Sequence, residues 1–408
     1  MIDWKKIRNE FIWFKNNPNL IYFDSGATAL KPNIVIDSIK EYYEIYSVNP
    51  HNTDTSFAQG LHEKIETSRQ TIANFLNCHK DSIVFTSGAT ESLNLFAFGL
   101  MHLLTANDEI VVPDLEHASN LLPWIIVAKK TGAKLVHIHE DNNNNWVKNL
   151  LNKINYQTKI VSLSSISNLF GFSIDTKILI KKIKKINPNV IVIIDATQEV
   201  QHKKIDLQNL EIDLLAFSIH KIFGPTGVGI AYVSKKMQNI LQPLKYGGGM
   251  YLDYDPKNLS VDLLSCPTKY EAGTPNVAGI LGTKAAIDFV NQIGIENIHK
   301  YESELTDYLL KHLKKISNIE LANKKVDSNV VSFNIKNTNP QDVAHYLSLN
   351  NIIVRSGVSC VNMLKHRKKN ASGYVRVTLS IYNNINEIDQ LIMVLKKFDI
   401  GDALVGLI

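Results

Sequence analysis

The sequence of 408 residues contains no apolar run long enough to cross a lipid bilayer, for which a helix needs about 18 residues. Its first residues, MIDWKKIRNEF, also lack the apolar segment that is typical of a secretory signal peptide. Both absences argue against a membrane-bound or secreted protein. We therefore expect a cytoplasmic protein without a membrane partner.

Cysteine is scarce, since the chain has only three, Cys78, Cys266 and Cys360. An odd number of widely spaced cysteines does not suit a disulfide framework, and no pair has the close spacing of zinc ligands. We expect no metal site. At least one of the three cysteines is therefore available as a free thiol.

Arginine is also scarce, because only five of the 44 basic residues are arginine. The formal net charge of +5 is small for this length, and no basic patch with interleaved aromatic residues stands out. We therefore expect no nucleic-acid partner. Only a guanidinium offers a fixed pair of donors to a carboxylate, which makes each arginine of interest. Two of them, Arg355 and Arg376, flank Cys360 in the sequence.

Short apolar segments alternate with helical patterns between residues 82 and 233, and several are rich in Val and Ile on both faces. This pattern predicts an α/β fold, in which a mostly parallel sheet is covered by helices on both sides. The predicted strands are SIVFT, EIVVP, KLVHIH, KIVSLSS, NVIVIID, DLLAFS and GVGIAYV.

The pattern changes after about residue 290 to a mixture of helices and strands, such as NVVSFNI and YVRVTLSIY. Such a mixture predicts a smaller α+β unit. We expect a large domain of residues 21–290 and a small domain that combines residues 1–20 with residues 291–408.

Lys221 lies in the segment SIHKIFGPTGVG, between two predicted strands. A lysine beside a Gly-Pro turn is usually a solvated surface residue. A lysine at the end of a buried strand can instead form a Schiff base with a carbonyl, if burial or nearby cations lower its pKa from about 10.4. Lys221 is therefore a candidate catalytic residue.

Three further polar residues lie at strand ends of the same predicted sheet. Asp195 ends a central strand, where α/β proteins place ligand-binding groups, although it could also cap a turn. Thr90 opens a helix whose N-terminus could bind phosphate or simply be capped. His117 could face an aromatic ring or be an ordinary turn residue. Together with Lys221 these residues predict a site for pyridoxal phosphate. Its aldehyde would lie at Lys221, its ring nitrogen at Asp195, its phosphate at Thr90 and its ring face at His117.

A non-catalytic nucleotide-binding protein is the alternative from another class, with GPTGVG as its phosphate loop. That fragment lacks the Gly-Lys-Ser/Thr ending of a P-loop. It also lacks the context of a GxGxxG motif, which directly follows a strand. The yellow colour of a bound pyridoxal cofactor would separate the two hypotheses.

The chain as a whole resembles the class V, fold-type I enzymes that depend on pyridoxal phosphate, and within them the cysteine desulfurases of the SufS/NifS group. The segments that carry the resemblance run in the family's order over nearly the full length: YFDSGATALKP, TSGATESLNL, LEHASN, SISNLFG, IDATQEVQH, SIHKIFGPTGVG, YEAGTPN, RSGVSC and YVRVTLSIYN. The resemblance implies a large domain with a seven-stranded sheet and a homodimer.

The resemblance also implies a role for each matching residue. Lys221 matches the Schiff-base lysine, and the remaining cofactor positions are Asp195 at the ring nitrogen, His117 at the ring face, Gln198 at the ring hydroxyl, Asn168 beside the ring, and Ala89, Thr90, Ser218 and His220 at the phosphate. Thr274 matches the residue that reaches the phosphate of the neighbouring subunit. Residues at the substrate are Arg376, Arg355, Asn168 and His51, with Arg376 as the partner of the carboxylate.

The implied reaction converts L-cysteine to L-alanine and leaves the sulfur on Cys360 as a persulfide. The sulfur would pass to an acceptor scaffold or carrier protein, for iron–sulfur cluster assembly or other sulfur trafficking. Two neighbouring arginines favour a thiolate at Cys360. A selenocysteine lyase or another class V lyase or aminotransferase is the alternative on the same scaffold.

Overall fold

The computed structural model describes residues 2–51, 54–139, 145–323, 326–366 and 370–403. Its strands are Ile21–Tyr22 (β1), Ile83–Thr86 (β2), Glu109–Pro113 (β3), Lys134–Ile138 (β4), Thr158–Ser164 (β5), Ile191–Asp195 (β6), Leu214–Ser218 (β7), Gly229–Val233 (β8), Tyr251–Asp255 (β9), Ser260–Leu263 (β10), Ile319–Leu321 (β11), Val330–Ile335 (β12), Ile352–Ile353 (β13), Arg355–Gly357 (β14) and Tyr374–Thr378 (β15).

The α-helices alternate with these strands through most of the chain. They are Trp4–Asn9 (α1), Ile12–Asn16 (α2), Asn33–Glu41 (α3), Ser56–Leu76 (α4), Ala89–Gly99 (α5), Ala118–Thr131 (α6), Asn145–Lys153 (α7), Thr176–Ile186 (α8), Lys235–Gln238 (α9), Val277–Ile293 (α10), Ile295–Leu313 (α11), Pro340–Leu349 (α12), Ile385–Lys396 (α13) and Ile400–Ala403 (α14). In the described part of the chain, no helix is both long and apolar enough to cross a membrane.

The largest sheet has seven strands in the described residues, in the order β2-β8-β7-β6-β5-β3-β4. The strands from β7 to β4 pair in parallel, and β8 is antiparallel to both of its neighbours. The sequence predicted each of these strands. The prediction of an α/β fold with a mostly parallel, seven-stranded sheet is therefore confirmed.

Apolar side chains on both faces explain why these strands form the centre of the molecule. In β6, Val192 and Ile194 pack into one hydrophobic cluster, while Ile191 and Ile193 pack into the cluster on the other face. Because helices cover both faces, the strand is apolar at every position before Asp195. The first charged residue therefore comes where the strand leaves the core.

A second sheet has the order β11-β12-β15-β14, and its pairs are antiparallel. The helices α11, α12 and α13 contribute to its own hydrophobic cluster. This sheet lies in the region that the sequence assigned to a smaller α+β unit. The boundaries of the two domains, 21–290 against 1–20 and 291–408, stay a prediction.

The hairpin of β9 and β10 was not predicted from the sequence. Its residues are mostly exposed on both faces, Leu252 and Leu259 among them. A strand without a buried face lacks the alternation of apolar and polar residues by which a strand is recognised.

Candidate active site

A cleft of about 340 Å³ lies at the carboxyl ends of the parallel strands, beneath the second sheet. Polar side chains from both sheets line it. Twelve of the fourteen predicted site residues are among them: Ala89, Thr90, His117, Asn168, Asp195, Gln198, Ser218, His220, Lys221, Arg355, Cys360 and Arg376. Open α/β sheets bind ligands at this edge.

Lys221 enters the cleft from a short 3-10 turn, Ile219–Lys221, directly after β7. Its Nζ donates a hydrogen bond to the carbonyl oxygen of Gly26, which also accepts one from Gln198 Nε2 at 3.1 Å. Burial, reinforced by the positive charge of Arg376, lowers the pKa of Lys221 to about 7. Near neutral pH a large share of this amine is therefore unprotonated and nucleophilic.

Asp195 and His117 lie on the floor of the cleft, where Asp195 ends β6 and His117 lies between β3 and α6. Asp195 is 6% exposed, and its Oδ1 accepts a hydrogen bond from the Thr197 amide at 3.0 Å. His117 precedes α6 and caps it, since its Nδ1 accepts from the Ser119 amide at 3.2 Å. Burial lowers the pKa of His117, with Asp195 acting in the opposite direction.

The N-terminus of α5 lines the cleft through Ala89 and Thr90. The Ala89 amide donates to Ser218 Oγ at 2.8 Å, and Thr90 Oγ1 lies 2.7 Å from Ser119 Oγ. The first residue of the adjacent strand β8, Gly229, must be glycine, because a Cβ there would lie 2.4 Å from backbone atoms of Gly88. Backbone amides and hydroxyls at a helix N-terminus suit a phosphate group.

Arg376 projects into the cleft from β15 of the second sheet and is 3% exposed. Its Nη1 donates to the carbonyl oxygen of Asn168 at 2.9 Å, and its Nη2 donates to Asp24 Oδ1 at 3.0 Å. Burial lowers the pKa of the guanidinium. Arg355 lies opposite Arg376 in the register of β14 and β15, so both side chains leave the same face of the sheet.

Cys360 is exposed and lies in the loop that follows β14. Ser359 and Cys360 both have left-handed backbone conformations, with φ of 47° and 64°, which cost about 1–3 kcal/mol each. Two hydrogen bonds hold the loop: Asn168 Nδ2 donates to the Ser359 carbonyl at 2.7 Å, and the Ala118 amide donates to the Cys360 carbonyl at 2.9 Å.

The other two cysteines have different surroundings. Burial raises the pKa of both Cys78 and Cys266 to about 12, and neither lines the cleft. A thiol of this kind is a poor nucleophile at neutral pH. Cys360 is the cysteine that combines exposure with a place in the cleft.

Two predicted site residues are not brought to the cleft within one chain. Thr274 is exposed and lines a separate pocket of about 140 Å³, together with Glu91 and Lys245. His51 is exposed and lies beside Gly249, at the base of the β9–β10 hairpin. The roles predicted for Thr274 and His51 stay predictions.

Sequence reasoning missed several residues of the site. Gly26, Asp24 and Ser164 contact or border the predicted groups, and Glu116 lies buried directly before His117. Asp24 and Gly26 belong to the segment YFDSGATALKP, whose match to the family was the available signal. Ser164 ends β5 and could have been found by the rule that located Asp195.

Comparisons with known proteins agree with this geometry. The family model Aminotransferase class-V matches residues 21–391. A probable cysteine desulfurase of Ureaplasma parvum is 42% identical over 413 aligned positions, which cover 100% of both chains. The structure of a cysteine desulfurase from Thermococcus onnurineus has a TM-score of 0.91 at 33% identity and covers 97% of this chain and 98% of its own.

The cysteine desulfurase CsdA of Escherichia coli, solved as its S-sulfonic acid, has a TM-score of 0.89 at 29% identity, with 97% and 98% of the two chains covered. The chain therefore belongs to the class-V aminotransferase family, and within it to the cysteine desulfurases. Pyridoxal phosphate is the cofactor of such an enzyme, as the sequence predicted.

The residues of the cleft fit this cofactor. Gln198 Oε1 is buried and has no hydrogen-bond partner among the described residues, so it is available to a ligand. The cleft offers an amine for an aldehyde, a carboxylate for a ring nitrogen, and hydroxyls with a helix N-terminus for a phosphate. In the described part of the chain, no group of His, Cys, Asp or Glu side chains is arranged to hold a metal ion.

Proposed function

We propose that this enzyme converts L-cysteine to L-alanine and receives the substrate's sulfur on Cys360 as a persulfide. One observation carries the proposal: the exposed thiol of Cys360 shares a cleft with the amine of Lys221 and the guanidinium of Arg376. A base, a carboxylate-binding group and a soft nucleophile are the three groups that this reaction needs from the protein.

The cofactor would be held by residues from several strand ends. Lys221 would hold its aldehyde, Asp195 its ring nitrogen, Gln198 its ring hydroxyl and His117 its ring face. The phosphate would lie among Ala89, Thr90, Ser218 and His220 at the start of α5. Burial and the charge of Lys221 lower the pKa of His220 to about 4, so His220 is neutral at pH 7 and binds phosphate by hydrogen bonding.

Proton transfer at the substrate is assigned to Lys221. When bound, pyridoxal phosphate supplies an electron sink that stabilises negative charge at the substrate's Cα. A base whose pKa lies near the working pH is the most effective, and the pKa of about 7 gives Lys221 this property. Its amine takes the proton from Cα and can return one to the product.

Arg376 binds the carboxylate of the substrate. Asp24 and the Asn168 carbonyl already hold two of its donor groups, which fixes the direction of the guanidinium. Its Nε has no hydrogen-bond partner in the described part of the chain. Arg355, exposed on the same face of the sheet, supplies further positive charge at the mouth of the cleft.

The thiolate of Cys360 attacks the sulfur of the bound cysteine. A sulfur–sulfur bond forms, the bond between the substrate's sulfur and its Cβ breaks, and protonation at Cβ gives the methyl group of alanine. One cysteine and one protein thiol thus give one alanine and one persulfide. The reaction is balanced without an external oxidant or reductant.

We also propose that the enzyme is a cytoplasmic homodimer that passes its sulfur to an acceptor protein, for iron–sulfur cluster assembly or another sulfur pathway. The exposed position of Thr274 supports the dimer, since it leaves the residue accessible to a neighbouring subunit. The exposed position of Cys360 supports transfer to a second protein. A reducing compartment keeps its thiol available.

A product assay tests the proposed reaction. The purified enzyme, supplied with L-cysteine and a thiol reductant, should release alanine and sulfide in equal amounts, and Lys221→Ala should release neither. Release of alanine from L-selenocysteine but not from L-cysteine would contradict the proposal in favour of a selenocysteine lyase. Sedimentation of a stable monomer that retains the cofactor would contradict the shared dimeric site.

A further inference from the structure

Glu116 is a buried carboxyl group beneath the cleft, between the end of β3 and the start of α6. It is 3% exposed and accepts three hydrogen bonds. The Ser164 amide donates to Oε1 at 2.7 Å, while Ser164 Oγ at 2.5 Å and Asn120 Nδ2 at 2.7 Å donate to Oε2. A buried carboxylate is costly unless it is satisfied in this way.

The hydrogen-bond network continues through Asn120 into the sheet. Asn120 Oδ1 accepts from Ser162 Oγ at 2.6 Å, and both residues are fully buried. Ser162 and Ser164 belong to β5, whereas Asn120 belongs to the first turn of α6. Glu116 and Asn120 therefore fasten the start of this helix to the end of the central strand.

This connection bears on two groups of the cleft. His117 immediately follows Glu116 and caps α6, so its position depends on how the helix start is held on β5. Ser164 lines the cleft opposite Asp195 in the register of β5 and β6. Because its hydroxyl donates to Glu116, the Ser164 oxygen presents only lone pairs to the cleft.

We propose that Glu116 is a positioning residue of this enzyme, which fixes His117 against the cofactor ring and orients the Ser164 hydroxyl as an acceptor. Glu116 does not line the cleft and acts through its neighbours. The proposal rests on the role of His117 in the proposed function. Burial raises the pKa of Glu116 to about 7, and the hydrogen bonds from Ser164 and Asn120 oppose this rise.

Glu109 offers a matched control at the opposite end of the same strand. It is also a buried carboxyl, 7% exposed, and accepts from Lys134 Nζ and Asn155 Nδ2, each at 2.8 Å. It does not line the cleft. Both Glu→Gln variants replace a buried, hydrogen-bonded carboxyl group at or just beyond an end of β3, but only Glu116→Gln does so beside His117.

The test compares the holoenzymes of Glu116→Gln and Glu109→Gln. The visible circular dichroism of a bound chromophore reports its orientation, and we expect Glu116→Gln to change that band. We also expect its kcat to fall about 10- to 100-fold with KM for L-cysteine unchanged, because misplacement affects the chemical step more than binding. Glu109→Gln should keep the wild-type band and kcat despite a comparable loss of thermal stability. A wild-type band and kcat in Glu116→Gln, or equal effects in both variants, would overturn the proposal.

A double-mutant cycle with His117→Ala separates this proposal from the one it rests on. If Glu116 acts mainly through His117, adding Glu116→Gln to His117→Ala should produce little further change. Fully additive effects would refute the positioning role, whereas a wild-type band and kcat in His117→Ala would refute the proposed role of His117 itself.

Should Glu116→Gln not fold, Asn120→Ser removes one bond of the same network. We expect it to shift the dichroism band in the same direction, and an unchanged band would contradict the proposal.

Discussion

The floor and the roof of the cleft are built in different ways. The floor consists of the strand ends of the seven-stranded sheet and of the helix N-termini that follow these strands. It carries Lys221, Asp195 and His117. The roof comes from the second sheet and the loop after it, and it carries Arg376 and Cys360. The groups proposed to hold the cofactor lie on the floor, whereas those proposed to bind substrate and sulfur lie mainly on the roof.

This difference implies that binding of the cofactor and transfer of sulfur can be separated by mutation. A change on the roof should leave the cofactor in place, because the floor's contacts lie on another sheet. A change on the floor should affect the cofactor itself. The hydrogen bonds from Asn168 to Ser359 and from Ala118 to Cys360 are where the two parts meet.

The largest effect is expected on the roof, from Cys360→Ser. The variant should stay yellow with bound cofactor, while alanine release from L-cysteine falls about 10³-fold or more, the scale of losing a nucleophile. Absorbance spectra and an alanine assay check both statements. A colourless variant would show that the roof is needed for cofactor binding and would break the comparison.

Cys266→Ser is the control for that experiment. Its thiol is buried away from the cleft, so activity should remain, with a loss of unfolding free energy of about 1 kcal/mol. Thermal unfolding and the same alanine assay measure the two quantities. Loss of activity with retained stability would contradict the assignment of Cys360 as the acceptor.

Arg376→Lys should have a smaller effect on the same part of the site. Lysine keeps the charge but cannot hold Asp24, the Asn168 carbonyl and a substrate carboxylate together, a loss of about 1.5–3 kcal/mol. We expect kcat/KM for L-cysteine to fall about 10- to 150-fold with the cofactor spectrum unchanged. An unchanged kcat/KM would remove Arg376 from the substrate site.

The smallest effect concerns how the rate of cofactor binding to the floor depends on pH. The pKa of Lys221 is lowered to about 7, so the neutral amine becomes less populated as the pH falls below this value. Uptake of pyridoxal phosphate by the cofactor-free protein should slow about tenfold per pH unit below pH 7 and be nearly constant above it. Stopped-flow absorbance between pH 5.5 and about 9 measures this rate. A rate that still rises about tenfold per pH unit between about pH 8 and about pH 9 would indicate an ordinary lysine pKa.

The floor was more accessible to sequence reasoning than the roof. Lys221, Asp195, Thr90 and His117 each follow a recognisable strand or open a helix, and the carboxyl ends of parallel strands meet at one edge of the sheet. Their convergence therefore follows from the order of elements alone. The family resemblance added the other phosphate positions and the substrate positions.

Residues whose placement depends on distant contacts could not be predicted in the same way. The hydrogen bonds from Asn168 to the Ser359 carbonyl and from Arg376 to Asp24 join segments far apart in the sequence. Glu116 could not be predicted because Ser164, which donates two of its hydrogen bonds, lies on β5, far from Glu116 in the sequence. Periodicity and turn residues report local structure and carry no information about such pairs.

Mass spectrometry of the wild-type enzyme after brief exposure to L-cysteine tests the central claim most directly. We expect the peptide that contains Cys360 to gain the mass of one sulfur atom, and the peptides with Cys78 and Cys266 to remain unmodified. Added sulfur on Cys78 or Cys266, with Cys360 unmodified, would contradict the assignment of Cys360 as the sulfur acceptor.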